Sequence, residues 1–76
     1  MFETEHIEIN PRICGGKPVI KGTRIPISVV LDRVATGESW NEILVDYPEL
    51  TRDHIRAVVL FAKAALDNAE LRETYG

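Results

Sequence analysis

Cysteine and histidine, the residues that form disulfides and bind structural metals, are scarce in this chain. Its 76 residues include one cysteine, Cys14, and two histidines, His6 and His54. A single cysteine cannot form an intramolecular disulfide, and one thiol with two imidazoles is too few for a structural zinc site. We therefore expect a protein without metal or cofactor, in a reducing, cytoplasmic setting. We also expect a single domain that needs support from a second copy or a partner, because so short a chain builds only a small core.

Long apolar runs and a basic N-terminus are also missing. No apolar stretch approaches the roughly 20 residues needed to span a bilayer, and the first residues include Glu3, Glu5 and Glu8. A signal peptide would begin with basic residues instead. The sequence therefore predicts a soluble protein with no membrane partner.

An overall excess of positive charge is absent as well. The formal net charge is -3, and residues 26–50 hold one basic and five acidic residues. Domains that bind nucleic acid usually show a basic excess across the whole domain. We expect any DNA contact to be local, and weak in the monomer.

The sequence also lacks a set of residues typical of a catalytic site. Cys14 has no histidine near it in the sequence, and a lone buried thiol is usually structural. His6 and His54 are far apart in the sequence and lack companion carboxylates, so acid–base and metal chemistry have no assembled groups. The sequence predicts a protein that is not an enzyme.

What the chain does have is a basic, glycine-rich stretch at residues 12–26. It contains four cations, three of the five glycines and no carboxylate. A phosphate-binding P-loop requires Gly-Lys-Ser/Thr at the start of a helix, whereas this stretch has Lys21-Gly22-Thr23, with Pro18 inside the loop. A P-loop is therefore not expected, and the glycines predict tight turns.

Three cations of this stretch, Lys17, Lys21 and Arg24, have two possible roles. They can contact nucleic-acid phosphates or an acidic patch on a partner. They can equally pair with the acidic helices of their own chain. The sequence leaves both roles open, although exposed ion pairs alone rarely account for such a cluster.

The first third of the chain predicts a small β element. Ile7 and Ile9 alternate with polar residues, which predicts one short strand over residues 2–10. Residues 19–20 and 24–25 predict two further brief strands. A sheet this small is expected to pair with another chain, because it is marginal alone.

Three helices are predicted after the strands. Pro26 fits the first turn of a helix that ends at Gly37. Ser39 and Glu42 have the spacing of a capping box for a short second helix, and Thr51 is the N-cap of a third that runs to about residue 68.

We therefore predict one mainly α domain, with strands and basic turns in residues 1–25, a helical bundle in residues 26–69 and a tail in residues 70–76.

The third helix is apolar beyond what one face requires. One stripe comprises Ile55, Val58, Val59, Ala62 and Leu66, while further apolar residues, Ala57, Leu60, Phe61 and Ala64, lie partly on the opposite side. Such a helix is normally buried on both sides. We expect a homodimer, a higher oligomer or a partner to cover the second side, with Leu60 and Phe61 in the contact.

The order of short helix, short helix, turn and longer helix predicts a helix-turn-helix unit. Its DNA-binding candidates are Arg52, His54 and Arg56, at the start of the third helix. Alternatively, the two arginines are solvated charges that pair with Asp53 or Glu49.

Two short sequence motifs carry a family resemblance. Cys-Gly-Gly-Lys-Pro at residues 14–18 and Lys-Gly-Thr-Arg-Ile-Pro at residues 21–26 closely resemble the domain-of-unknown-function family 433, and the similarity covers roughly residues 6–66. The resemblance implies a homeodomain-like three-helix protein preceded by short strands. It also implies an antitoxin of a type II toxin-antitoxin module, with a PIN-like nuclease as its toxin and operator DNA as a further ligand.

This resemblance suggests a mechanism, with two alternatives. The apolar helix surface would dock on the toxin while Lys17, Lys21 and Arg24 meet the carboxylate-rich active site of the nuclease. The alternatives are a DNA-binding regulator without a toxin partner and a structural module that uses its strands to pair with another protein.

Overall fold

The computed structural model describes residues 2–68, so the predicted tail at residues 70–76 lies outside the described part. Three strands come first: β1 (Phe2–Glu3), β2 (Ile7–Ile9) and β3 (Val19–Ile20). Three helices follow: α1 (Ile27–Ala35), α2 (Trp40–Asp46) and α3 (Arg52–Asn68). The predicted fold, a mainly helical three-helix domain preceded by a small β element, is confirmed. Within residues 2–68, no helix combines the length and apolar character that crossing a membrane requires.

The single strand predicted over residues 2–10 is wrong, because the chain turns back at residues 4–7. The Thr4 N–H donates to the carbonyl of Ile7 at 2.7 Å, and the Ile7 N–H donates to Thr4 Oγ1 at 3.0 Å. A threonine hydroxyl that bonds nearby backbone competes with a continuous strand. The turn creates β1, which pairs antiparallel with β2, while β2 pairs antiparallel with β3.

The glycine-rich stretch forms consecutive turns on both sides of β3, as predicted. Before β3, Gly15 and Gly16 have left-handed φ angles of 66° and 87°. After β3, Gly22 has φ of 83° in a turn that the Thr23 N–H closes by donating to the carbonyl of Ile20 at 3.0 Å. A glycine adopts such angles without steric cost.

N-cap residues mark where the first two helices begin. Pro26 has extended angles, φ -65° and ψ 142°, so it precedes α1 rather than lying in its first turn. Its ring fixes φ and leaves ψ free to be extended. In α2 the predicted capping box is confirmed, because Ser39 Oγ accepts from the Glu42 N–H at 3.1 Å and Glu42 Oε1 accepts from the Ser39 N–H at 2.8 Å.

The core joins the sheet to all three helices. Its buried members come from β2, β3, each helix and the turn before α3: Ile7, Ile20, Ile27, Val30, Ile43, Leu50, Ile55 and Val58. Trp40, Tyr47 and Phe61 pack against this core half-buried.

The stripe predicted for α3 is only partly correct. Ile55 and Val58 are buried, but Val59 and Leu66 are exposed. With 17 residues α3 is about 25 Å long, whereas the nine residues of α1 span about 13 Å. The last turns of α3 lie beside the start of α1 but leave an open groove there, in which Leu66 remains exposed.

Candidate functional surface

The C-terminal half of α3 is flanked by two open, mainly apolar grooves. Groove A, of about 540 Å³, lies between α3 and the turn before β2, and is lined by Thr4, Glu5, His6, Ile7, Ala57, Leu60, Phe61, Ala64 and Ala65. Groove B, of about 530 Å³, lies between α3 and the start of α1, and is lined by Lys17, Pro18, Ile27, Ser28, Leu31, Phe61, Ala62, Ala65 and Leu66. Phe61 and Ala65 line both grooves and therefore form the ridge between them.

Two large apolar side chains stand exposed beside this ridge. Leu60 is 56% exposed at groove A, and Leu66 is 67% exposed at groove B. Phe61 is half-buried and packs against the core. Clustered apolar exposure of this kind marks interaction sites more often than scattered single residues do. The sequence-predicted contact residues Leu60 and Phe61 thus lie on one surface.

The three basic candidates do not lie together. Lys17 lines groove B, whereas Lys21 lies at the other end of β3, where it forms an ion pair with Glu3. Pro18 and the two residues of β3 lie between the two lysines, and four extended steps along the backbone separate them by roughly 13 Å. Arg24 is exposed, and its carbonyl accepts the Cys14 thiol at 3.4 Å. Within residues 2–68, neither Lys17 nor Arg24 has a carboxylate at ion-pair distance.

The acidic helices have a different partner from the one expected. Arg33 of α1 donates from Nε to both carboxylate oxygens of Glu38 at 2.9 Å and also binds Asp46 at the end of α2. Its guanidinium lies 5.5 Å from the ring centre of Tyr47. The suggestion that Lys17, Lys21 and Arg24 pair with these helices is therefore wrong for Glu38 and Asp46. Arg33 is the single cation of residues 26–50, a signal that could have identified it.

These contacts shift two ionisation equilibria in opposite directions. The hydrogen bond from Arg33 lowers the pKa of Glu38 below its usual value, and burial opposes that shift only in part. Hydrogen bonds to Glu38 and Asp46 raise the pKa of Arg33. Arg33 and Glu38 are therefore both charged near neutral pH.

The three DNA-binding candidates all have partners within the chain. The Arg52 guanidinium lies 5.0 Å from the ring centre of Trp40 and donates to Asn41 Oδ1 at 3.0 Å. Arg56 donates to Asp53 Oδ1 at 2.7 Å, which is the ion pair offered as the alternative. His54 Nδ1 accepts the Thr51 N–H at 2.9 Å.

His6 and His54 form a contact that their separation in sequence did not predict. Their ring centroids are 5.2 Å apart, with the ring planes inclined at 79°. Burial and the nearby His6 lower the pKa of His54, while Asp53 acts in the opposite direction. Within residues 2–68, no three residues among histidine, cysteine, aspartate and glutamate are grouped to hold a metal ion.

The comparisons with known proteins agree with the family resemblance of the motifs at residues 14–18 and 21–26. The family model described as "Protein of unknown function (DUF433)" matches residues 7–62. The chain is also 38% identical over 60 residues to the uncharacterized protein y4eO of Sinorhizobium fredii. That match covers 79% of this chain but 27% of y4eO, so the chain spans about a quarter of the length of this relative. No solved structure matches the chain. Because the family model covers most of the sequence, the chain belongs to the DUF433 family.

Proposed function

We propose that this protein is an antitoxin-like component of a type II toxin-antitoxin module, which binds and inhibits a PIN-like nuclease through groove B. The observation that carries the proposal is the composition of this groove. Its lining is apolar except for Ser28 and Lys17, and Lys17 has no carboxylate at ion-pair distance in the described chain. An apolar groove with one cation at its edge suits a partner with an apolar anchor next to carboxylates. The class of partner comes from the family resemblance.

In this proposal inhibition is steric. An apolar segment of the nuclease contacts Leu31, Phe61 and Leu66, which excludes water from the groove. The Lys17 ammonium then meets the carboxylates of the nuclease active site, and Arg24 adds a second exposed cation. Lys21 contributes less, because it must first leave Glu3.

The test is the affinity of this protein for a PIN-like nuclease encoded by a neighbouring gene, which the proposal requires. Lys17→Glu should lower the affinity about tenfold, because it places like charges together at the interface. Leu66→Asp should also weaken binding, because it puts a charge where an apolar anchor docks. Lys63→Glu is the matched control, since Lys63 is an exposed cation of α3 that lines neither groove. Equal affinities for Lys17→Glu and the control would contradict the proposal.

Operator binding is the second candidate, and one contact favours it. Arg52 lies across the face of Trp40 at the exposed start of α3, the later helix of the α2–α3 pair. A stacked guanidinium is held in place before it meets a phosphate or a guanine. We propose that a dimer uses Arg52, and Arg56 once it leaves Asp53, to bind its own promoter.

Fluorescence anisotropy with promoter DNA tests this second role. Arg52→Ala and Arg56→Ala should each reduce the affinity, and binding should fall steeply with salt. Lys63→Ala serves as the control, because Lys63 is also exposed but lies further along α3. Binding that none of the three changes affects would rule out this use of α3.

A further inference from the structure

We infer that His6 and His54 form an acid-sensitive latch, which in its neutral state holds the N-terminal β element against the start of α3. The inference does not depend on the proposed nuclease or DNA partner. It rests on a cap at the start of α3, on the contact between the two rings and on the charges around them.

The cap at α3 uses an imidazole where a carboxylate or amide is usual. Thr51 precedes the helix, and His54 occupies the third helical position, which glutamate or glutamine fills in a capping box. His54 Nδ1 accepts the Thr51 N–H at 2.9 Å, and the His54 N–H donates back to Thr51 Oγ1 at 3.4 Å. A ring nitrogen accepts a hydrogen bond only when it carries no proton. The neutral ring therefore carries its proton on Nε2, and protonation of Nδ1 would turn a donor toward the Thr51 N–H.

His6 is held beside His54 by the sheet. It precedes β2, and its carbonyl accepts the Lys21 N–H of the chain leaving β3 at 2.8 Å. Its ring meets the His54 ring at a centroid distance of 5.2 Å. This contact joins residues that are far apart in the sequence and links the β element to the start of α3.

The charged groups around the pair do not cancel the effect of protonation. Glu5 lies 3.8 Å from His6 Nε2 but is 88% exposed, so water screens it. The Lys21 ammonium, from the chain after β3, is occupied by Glu3, and Asp53 of α3 is occupied by Arg56. If both rings are charged, two cations stand about 5 Å apart and repel each other.

The direction of the pH effect follows from the neutral state of the latch. Burial and His6 lower the pKa of His54 in the folded protein below the usual value of 6.5. The unfolded chain therefore binds a proton more readily than the folded one. The stabilisation is fully present above that usual value and is lost as the pH falls through the lowered pKa of the folded protein.

The experiment follows thermal unfolding and the histidine ring signals of the full-length protein between about pH 7.5 and about pH 5, a window in which most carboxylates remain ionised. His54→Gln keeps an acceptor at the capping position without a titrating group, and His6→Phe keeps an aromatic ring without a charge. In the wild type we expect the unfolding midpoint to fall across this window and the His54 ring to titrate below an ordinary histidine. In His54→Gln most of that fall should disappear.

Amide hydrogen exchange reports on the cap itself. Protection of the Thr51 N–H in the wild type should fall about fivefold on acidification, the factor that matches the net contribution of a typical hydrogen bond. In His54→Gln this protection should not change with pH. A wild-type midpoint that is flat over the window, or a His54→Gln variant with the full wild-type pH dependence, would overturn the inference.

Discussion

Among single residues, Arg33 links α1 to α2, a role that the charge pattern of the sequence did not predict. One guanidinium contacts Glu38 after α1, Asp46 at the end of α2 and the ring of Tyr47. Its planar fork allows two hydrogen bonds to one carboxylate, which a lysine ammonium cannot reproduce. Arg33 thereby neutralises part of the acidic middle third of the chain.

Replacing Arg33 by lysine should lower the thermal midpoint at neutral pH, because the charge remains but the bidentate geometry is lost. The difference between wild type and variant should shrink as the pH falls below about 4.5. The pKa of Glu38 is lowered in the folded protein, so the stabilisation that Glu38 gives at higher pH is lost as the pH falls through that lowered pKa. Thermal unfolding at several pH values measures both effects. Lys63→Arg, in the exposed pair with Asp67, is the control and should change little.

Gly22 shows a residue-scale requirement of a different kind. Its φ of 83° lies in the left-handed region, and within residues 2–68 no heavy atom beyond its two chain neighbours lies within 4 Å of the position where a Cβ would be added. Space is therefore available, and only the backbone angle disfavours a side chain.

Gly22→Ala should destabilise the fold by about 1 to 2 kcal/mol, the cost of a left-handed angle for an ordinary residue. Gly22→Asn should cost less, because asparagine tolerates that region. Urea unfolding of both variants measures the difference. Equal losses would show that the backbone angle is not the cause.

At the scale of elements, the helices depend on caps that differ in chemistry. α2 has seven residues and a reciprocal capping box of Ser39 and Glu42. α3 has 17 residues and the Thr51–His54 cap. A short helix has few internal hydrogen bonds, so it depends more on its cap.

Ser39→Ala should therefore lower the free energy of unfolding by about 1 kcal/mol. Ser28→Ala is the matched control, since Ser28 is an exposed serine inside α1 and should have little effect. Chemical denaturation of both variants measures the difference. A loss of the same size at both positions would contradict the role of the cap.

At the scale of the whole molecule, the sheet and helices share one core, yet α3 continues beyond it. The exposed Leu60 and Leu66 lie on that continuation, beside grooves A and B. The apolar excess of α3 therefore remains uncovered within the described part of the chain. A second copy or a partner would remove it from water.

We expect the wild-type protein to self-associate as its concentration rises, and the double variant Leu60→Glu and Leu66→Glu to remain monomeric with little loss of stability. Both side chains are largely exposed, so the charges need not enter the core. Sedimentation velocity measures the association. Val45→Glu is the control, because Val45 is 77% exposed on α2 and lines neither groove. A wild type that is monomeric at every concentration would contradict this expectation.

Structural features set by neighbouring residues were predicted well, and contacts between distant segments were not. The capping box of α2, the N-cap of α3 and the turns around β3 each depend on neighbouring residues, whose spacing can be read directly. The turn at residues 4–7 was missed, because the alternation of Ile7 and Ile9 does not show where the chain reverses. The His6–His54 and Arg33–Asp46 contacts were missed, because they depend on how the elements pack.

The sequence was enough to predict three helices after a small β element, the turns of the basic stretch and the family. These follow from local backbone preferences and from words of a few residues. The packing of the elements fixed which side of α3 is buried and brought the two histidines together. The physical reason is that packing sets the position of one helix or strand against another, and residue spacing within a single element carries no information about that position.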